Sequence, residues 1–452
     1  MRQIREASRE IPVLAETDVL VVGSGPGGLA AAISAARAGV DVILLERYGC
    51  FGGVITQVGV ESIAWYRHAG TVDVEGIGRE FEERAFQMGA SRPEPQSDSQ
   101  ALDTELFKCV ADQMIQEAGV RPLLHCLAVD VVMEGNVIKG VITESKSGRA
   151  AILAQRVIDA TGDADIAFRA GAPCRKLPRE QMMGVTVMFS CSGVDREQFL
   201  EYVRQTHPTY GDWQQQWGVV TSGKEDHLFS PALFEPFLQA RRDGVIPPEL
   251  DTIGGTWSTI TEAGEALGLN LVYIPGVDGT DVWDLTRAEM EGRRQALLAI
   301  EALRKYVPGF QKARLRNFGM TLGVRDTRKI IGRYNLTEED VRNQARFPDA
   351  IGIFPEFIDG YGILILPTTG RYFQVPYGIL LPTGVENLLV AGRCVAGDKI
   401  AHAATRNMMC CTVTGQGAGV AAAVSLKAGV PPSQIDIAGL QAALVQQGVR
   451  IA

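Results

Sequence analysis

The stretch VLVVGSGPGGLAAA, residues 19–32, decides the fold. An apolar, β-branched run turns through glycines into a run of small helix formers, the pattern of a buried strand feeding a helix. Gly23 permits the tight turn out of the strand, and Gly25 lets backbone approach a diphosphate. Pro26 and Gly27 continue the turn, and Gly28 lets the helix lie close to the sheet. The first N–H groups of that helix carry partial positive charge toward a diphosphate. A lone GxGxxG would say little. Here Glu46 closes the next expected strand, eighteen residues beyond Gly28, where a carboxylate can accept hydrogen bonds from an adenosine ribose.

Working outward, residues 18–22 and 40–45 read as strands around a helix at 27–38, with Gly39 at its C-terminal cap. A second helix is expected at 104–118. Strands follow at 123–133 and 137–144, joined through Glu134, Gly135 and Asn136, and a buried strand at 157–160 runs into Thr161 and Gly162. Residues 167–378 differ in character: they hold most of the aromatics, many Pro and Gly, and one long helical stretch near 286–306. An apolar strand returns at 387–391, before a small-residue helix through 418–426. The expected fold class is α/β: a Rossmann-like dinucleotide domain, with a parallel sheet and a β-meander, in two pieces at 1–166 and 381–452. An inserted α+β substrate domain fills 167–380.

The bulk numbers agree with such a protein. A chain of 452 residues, 46% hydrophobic and 21% charged, suits two or three globular domains. A net charge of −9 argues against broad nucleic-acid binding, though a local basic pocket for an anionic substrate stays open. The uncharged run at 19–36 reaches membrane-spanning length, but its glycine-rich turn accounts for it, so no membrane partner is expected. Residues 1–17 mix both charge signs and lack an apolar segment of the secretory kind. Eight cysteines lie scattered without a CxxC pair, so no metal site is expected and a reduced, cytoplasmic location fits.

Three segments favour FAD over a nicotinamide cofactor. ERYGCFGG, residues 46–53, follows the acidic residue directly, where a simple nicotinamide domain would enter its next helix. Residues 158–163, IDATGD, resemble the second flavoprotein signature, and residues 387–392, NLLVAG, resemble the late strand that meets a ribityl chain. With GVRDTRKIIGRYNLTEEDV (323–341), YFQVPYGILLP (372–382) and NLLVAGRCVAGDKIAHAATRNMMCCTVTGQGAG (387–419), the chain resembles the FAD-dependent oxidoreductases of the glutathione-reductase-type flavin fold. These motifs span nearly the whole chain and are specific for fold and cofactor, not for substrate.

The resemblance implies where FAD would lie. Arg47 continues the ribose segment, Gly52, Gly53 and Thr56 would pass beside the flavin, and Ala128 would meet the adenine through its backbone. Thr161, Gly162, Gly392 and Arg393 belong to the later signatures, although many flavoproteins carry an acidic residue where Arg393 stands. Cys50 occupies a usually apolar place, which leaves a thioether to the flavin open. A helix starting near 410–412, with Cys411 and Thr412, would aim its N-terminus at the flavin N1–C2 edge.

The candidate catalytic cluster is His402 with Arg406, an HxxxR spacing similar to a substrate-binding pair in fumarate reductase-type flavoproteins. Arg can clamp a carboxylate with paired hydrogen bonds, and His can exchange a proton near neutral pH. Arg325, Asp326 and Arg328 read first as a salt-bridge network between the domains. The expected function is a dehydrogenase or oxidase that takes hydride from a small organic substrate to flavin N5. The alternatives are an NAD(P)H-supplied reductase or monooxygenase, for which a second GxGxxG is missing, and a flavin-binding subunit of a larger assembly. The electron acceptor and self-association stay open. The purified protein should be yellow and release FAD on denaturation; release of FMN, or a colourless protein that FAD cannot reconstitute, would contradict the motif reading.

Overall fold

Seven strands form one sheet: β1 Val13–Val22, β2 Val42–Leu45, β3 Arg121–Leu123, β4 Leu127–Glu134, β5 Val137–Ser145, β6 Gly148–Asp159 and β7 Leu388–Val390. The structure is a computed structural model and describes residues 4, 8–63, 67, 73–93, 99–206, 218–220 and 233–452. Strands β3, β2, β1 and β6 pair in that order, all parallel. The residues from Val19 to Val22 are buried, as a strand covered on both faces requires.

Strand β6 belongs to two arrangements at once. Its last residues, Val157 to Asp159, pair in parallel with β7, while Gly148 to Leu153 pair antiparallel with β5. It therefore splices the parallel sheet to the β4–β5–β6 meander. The expected strand at 157–160 is only the end of this element. The segment before it carries Arg149, Gln155 and Arg156, which break the apolar run that marks the end. The single strand expected at 123–133 is two, because the chain turns at His125 with φ of 54°.

Six helices matter for the site: α1 Pro26–Arg37, α2 Ile77–Gln87, α3 Thr104–Ala118, α4 Val282–Tyr306, α5 Lys399–Thr405 and α6 Met408–Ala428. Proline opens α1 at a position where a missing N–H costs nothing. Helix α6 begins at Met408, just ahead of the start expected near 410–412, and its small residues pack it against α1. That packing is close: a Cβ on Gly415 would overlap the Gly27 carbonyl, and one on Gly419 the backbone of Ala31. Helix α6 is long and apolar enough to cross a membrane, but 89% of its most apolar window is buried inside the fold.

A second apolar core draws only on residues between Val185 and Val324. Its four-stranded antiparallel sheet runs in the order Thr259–Ile260, Ala266–Leu269, Phe189–Ser192, Arg314–Phe318, with α4 among the elements on it. Phe199 meets Trp257 and Phe310 edge-on, at 5.0 and 5.1 Å between ring centres. The cores divide the chain differently from the expected boundary at 380. Ile330, Leu336, Ile353's neighbours Ile351 and Phe354, and Phe373 through Leu381 pack with the sheet of β1, not with the inserted sheet. The insertion proper is therefore shorter.

The α1–α6 contact makes a clean prediction. Gly419→Ala should destabilise the protein by about 1–3 kcal/mol, since neither helix backbone can retreat without disturbing the sheet beneath it. A thermal midpoint equal to that of wild type would show the contact to be looser than described.

Candidate functional site

A cavity of about 610 Å³ opens at the carboxyl ends of β1, β2, β6 and β7, where open α/β sheets bind ligands. Its floor is Gly23 to Gly27, with Glu46, Arg47, Gly53, Ala128, Ala160 to Asp163, Gly392 and Arg393 around it. The inserted domain supplies the opposite wall, including Thr186, Met188, Ser258, Gly268, Asn270 and Arg325.

The floor fits a dinucleotide. A Cβ built on Gly25 or on Gly392 meets nothing within 4 Å, so both backbones face open space. A Cβ on Gly28 would overlap the Gly23 carbonyl, and one on Gly53 would overlap Gly25, which fixes the turn, the helix and the 46–53 segment against each other. Glu46 Oε2 accepts from the N–H (3.0 Å) and hydroxyl (2.6 Å) of Ser24, and Oε1 from the N–H of Tyr48 (2.9 Å). A carboxylate has about four lone-pair positions, so one remains for a ribose hydroxyl. Asn407, the N-cap residue of α6, makes no capping bond with its side chain and donates instead to the carbonyls of Ala403 and Ala404; Asn407, Met408, Met409 and Cys411 line the cavity, so this helix end borders it.

The other expected contacts divide. Arg47 lies over the Tyr48 ring at 4.8 Å and lines the cavity, as do Ala128, Thr161, Gly162 and Cys411. Gly52 only supports the floor, its N–H bonded to the Ser24 carbonyl. Thr56 turns its hydroxyl to the Phe51 carbonyl (2.6 Å), away from the cavity. Thr412 also departs from expectation: because α6 starts at Met408, this residue is a turn too deep, and its hydroxyl donates to the Met409 carbonyl (2.8 Å). The Cys50 thiol does not line the cavity, and burial pushes it up from the usual thiol range, which disfavours the nucleophile a thioether needs.

Arg393, unusual at its position, pairs with Asp163 at 2.8 Å. Asp163 also accepts from Thr327 (2.6 Å) and lines the cavity beside Gly162. The carboxylate missing after Gly392 is thus present one strand over. Sequence reading passed over Asp163, although the 158–163 signature ends on it.

His402 and Arg406 part company. Arg406 lines the cavity and donates to the Asp359 carboxylate (2.9 Å) and carbonyl (2.5 Å). His402 does not line the cavity and is 2% exposed. Its Nε2 lies 3.0 Å from the Arg325 carbonyl, which can only accept, so Nε2 carries the proton. Burial, and then Lys329, push its pKa down to about 3. The expected proton exchange with substrate therefore loses its basis: the ring is neutral and turned inward. What His402 does hold is Arg325. That guanidinium lines the cavity, donates to the Gly184 carbonyl (3.1 Å) and Asn270 Oδ1 (3.3 Å), and lies 5.3 Å over the Tyr273 ring.

The buried neutral imidazole links stability to pH. Unfolded, His402 takes a proton below about 6.5; folded, it resists until about 3. The unfolded state binds more protons in that window, so stability should fall as pH drops from about 6.5 toward about 3 and be complete above it. In His402→Gln this part of the slope should disappear in chemical denaturation across that range; an unaltered slope would mean His402 is protonated in the folded protein.

Comparison with known proteins accords with the cradle. The model of the family described as FAD dependent oxidoreductase matches residues 18–444. Thiamine thiazole synthase of Methanococcus aeolicus is 29% identical over 161 residues, which are 34% of this chain and 57% of the synthase. That of Saccharolobus islandicus strain L.S.2.15 is 28% identical over 187 residues, 39% of this chain and 65% of the synthase. The chain thus spans less than two thirds of the length of these curated relatives. A solved geranylgeranyl bacteriochlorophyll reductase-like protein from Thermoplasma acidophilum aligns with a TM-score of 0.48 at 13% identity, over 96% of this chain and 83% of its own. The family match runs through the floor of the cavity, the inserted wall and the returning β7–α6 segment, and the chain belongs to the FAD-dependent oxidoreductases.

Proposed function

We propose that the protein oxidises a small anionic organic molecule held by Arg325 and Arg406. FAD, when bound, supplies a two-electron acceptor that takes hydride from such a molecule. Gly25, Glu46, Asp163, Gly392 and the open end of α6 would hold it, with Arg393 steadying Asp163.

The observation that carries this reading is the charge count around Arg325 and Arg406. Arg325 and Arg406 line one cavity, and burial together with the neighbouring Arg406 lowers the Arg325 pKa. One carboxylate, Asp359, pairs with Arg406. Among the described residues, Arg325 donates to neutral acceptors and lies over a ring face, and Asp359, the carboxylate that acts on it, is already paired with Arg406, so two guanidinium charges share one carboxylate. A ligand carboxylate supplies the missing charge, and a guanidinium can take it with two parallel hydrogen bonds. His402 serves as a positioning residue here: its Nε2–H holds the Arg325 backbone while Gly184 and Asn270 hold the guanidinium.

Anaerobic mixing of the FAD-loaded protein with a panel of small carboxylic acids and their uncharged amides should bleach the flavin with acids only. Arg325→Ala and Arg406→Ala should each weaken the apparent affinity for the reducing acid by roughly tenfold to a hundredfold, the worth of a charge-assisted hydrogen bond. Equal reduction by the amides, or unchanged affinity in both variants, would refute an anion subsite.

A further inference from the structure

We propose that Glu61, and not His402, carries the proton exchanged with the substrate, which is a small carboxylic acid bearing a hydroxyl or amino group. The proposal deepens the anion-subsite reading of Arg325 and Arg406 and rests on it.

Glu61 lines the cavity yet is only 5% exposed. Among the described residues, its Oε2 has no hydrogen-bond partner. The chain that presents it is anchored: the Glu61 carbonyl accepts from the Leu102 N–H (2.9 Å), and Ser62 bridges to Ala101. Across the cavity wall stand the Ser62 and Ser258 hydroxyls, 2.9 Å apart, and Gly268, whose missing side chain leaves room beside Oε2. Among the described residues, the other buried carboxylates that line the cavity, Glu46 and Asp163, are tied down by hydrogen bonds or an ion pair. Glu61 is the departure.

The charges facing Glu61 cancel in pairs. Asp103 is met by Arg92 at 3.5 Å, and Glu265 by Arg316 at 2.8 Å. Neither pair leaves a cation to neutralise a buried carboxylate. Burial therefore dominates, with Asp103 adding to it, and pushes the Glu61 carboxyl up to about 8. At neutral pH the group is mostly a carboxylic acid with a proton to give, and its carboxylate form stays within easy reach. That is the balance a proton-transferring group needs near its working pH. An unpartnered buried acid is also costly unless a ligand completes it.

Position ties the acid to the arginines. Gly268, beside the Glu61 carboxyl, and Asn270, which accepts from Arg325, are two residues apart and both line the cavity. A small acid anchored at Arg325 thus extends along the same segment toward Glu61. In the oxidative direction the substrate O–H or N–H proton passes to the Glu61 carboxylate, and that bond's electron pair becomes the new C=O or C=N π-bond. The C–H electron pair would leave with the hydride, for which oxidised FAD, when bound, would be the two-electron acceptor.

The test uses the FAD-loaded protein and two readouts besides turnover. Infrared difference spectra from about pH 6 to about pH 10 should show a carboxylic-acid carbonyl band that disappears with a midpoint near 8 and is missing from Glu61→Gln. Acetate, followed by its perturbation of the flavin spectrum, should bind roughly tenfold more weakly above that midpoint, because ionised Glu61 repels it; in Glu61→Gln the affinity should be flat. With an acid that reduces the flavin, Glu61→Gln should slow reduction by roughly 10²–10⁴ and lose the pH step. Absence of the band, or a pH step that persists in Glu61→Gln, overturns the proposal. Acetate that fails to bind at any pH, with the band in place, counts against the arginine subsite while supporting the proton on Glu61. Retained FAD in Glu61→Gln, read from its visible spectrum, separates these outcomes from misfolding.

Discussion

Backbone has to touch backbone at the mouth of the sheet, and most of this structure follows from that contact. The Gly23 carbonyl lies where a Cβ on Gly28 would be, and the Gly27 carbonyl where a Cβ on Gly415 would be. Strand, turn, α1 and α6 are thereby drawn to one point, and the free N–H groups of two helix ends gather there. A diphosphate-sized anion is the ligand such a convergence stabilises. The same closeness explains why α6 is built of small residues: larger ones would part the helices and scatter the N–H groups. Closing the domain with a segment from the far end of the chain places the whole insertion between two halves of one floor, so the insertion becomes the lid of the site by connectivity alone.

Around that floor, buried polar groups are satisfied by the protein itself. Asp159, fully buried, accepts from the N–H and hydroxyl of Thr161 and from the Ala167 N–H, which sets the turn that carries Gly162 and Asp163. Arg328, paired with Asp165, ties the 323–341 segment to the same region, while Asp326 pairs with Lys329 inside the segment and accepts from the Tyr361 hydroxyl. The reading of Arg325, Asp326 and Arg328 as a salt-bridge network fits Arg328 and Asp326, each of which forms an ion pair. It does not fit Arg325, whose guanidinium turns to neutral acceptors and leaves its charge for the cavity.

Much of this was legible in residues 19–32 and 46, because period, turn chemistry and the position of one carboxylate are local properties. The β4–β5 hairpin was legible for the same reason, its turn set by Gly135 at φ of 59°. What failed depended on distant packing. The four-residue spacing of His402 and Arg406 would put both on one face of a long helix, but α5 ends at Thr405 and Arg406 is already its cap, free to turn to Asp359 while His402 points at Arg325. Glu61 sits in GVESI, which carries no motif. Its isolation comes from residues 101–103, 258 and 268 closing over it, and no single stretch of sequence records that.

On the proposed reading, two unlike ends face one cavity: the Arg325 guanidinium, which shares one carboxylate with Arg406, and, from the N-terminal piece of the chain, an uncharged acid at Glu61. A cationic ligand would meet Arg325 unscreened, and a dianion would have to force its second charge beside an acid with no cation to spare. A ligand with one carboxylate and one neutral polar group satisfies both ends at no electrostatic cost. On that reading, selectivity for charge follows from which buried groups were left unpaired, not from the paired groups of the floor. The convergence of backbone at Gly23, Gly27 and Gly415 does not depend on the residues that face it, so a change of a few residues around Arg325 and Glu61 alters what the cavity accepts without touching what it is built on.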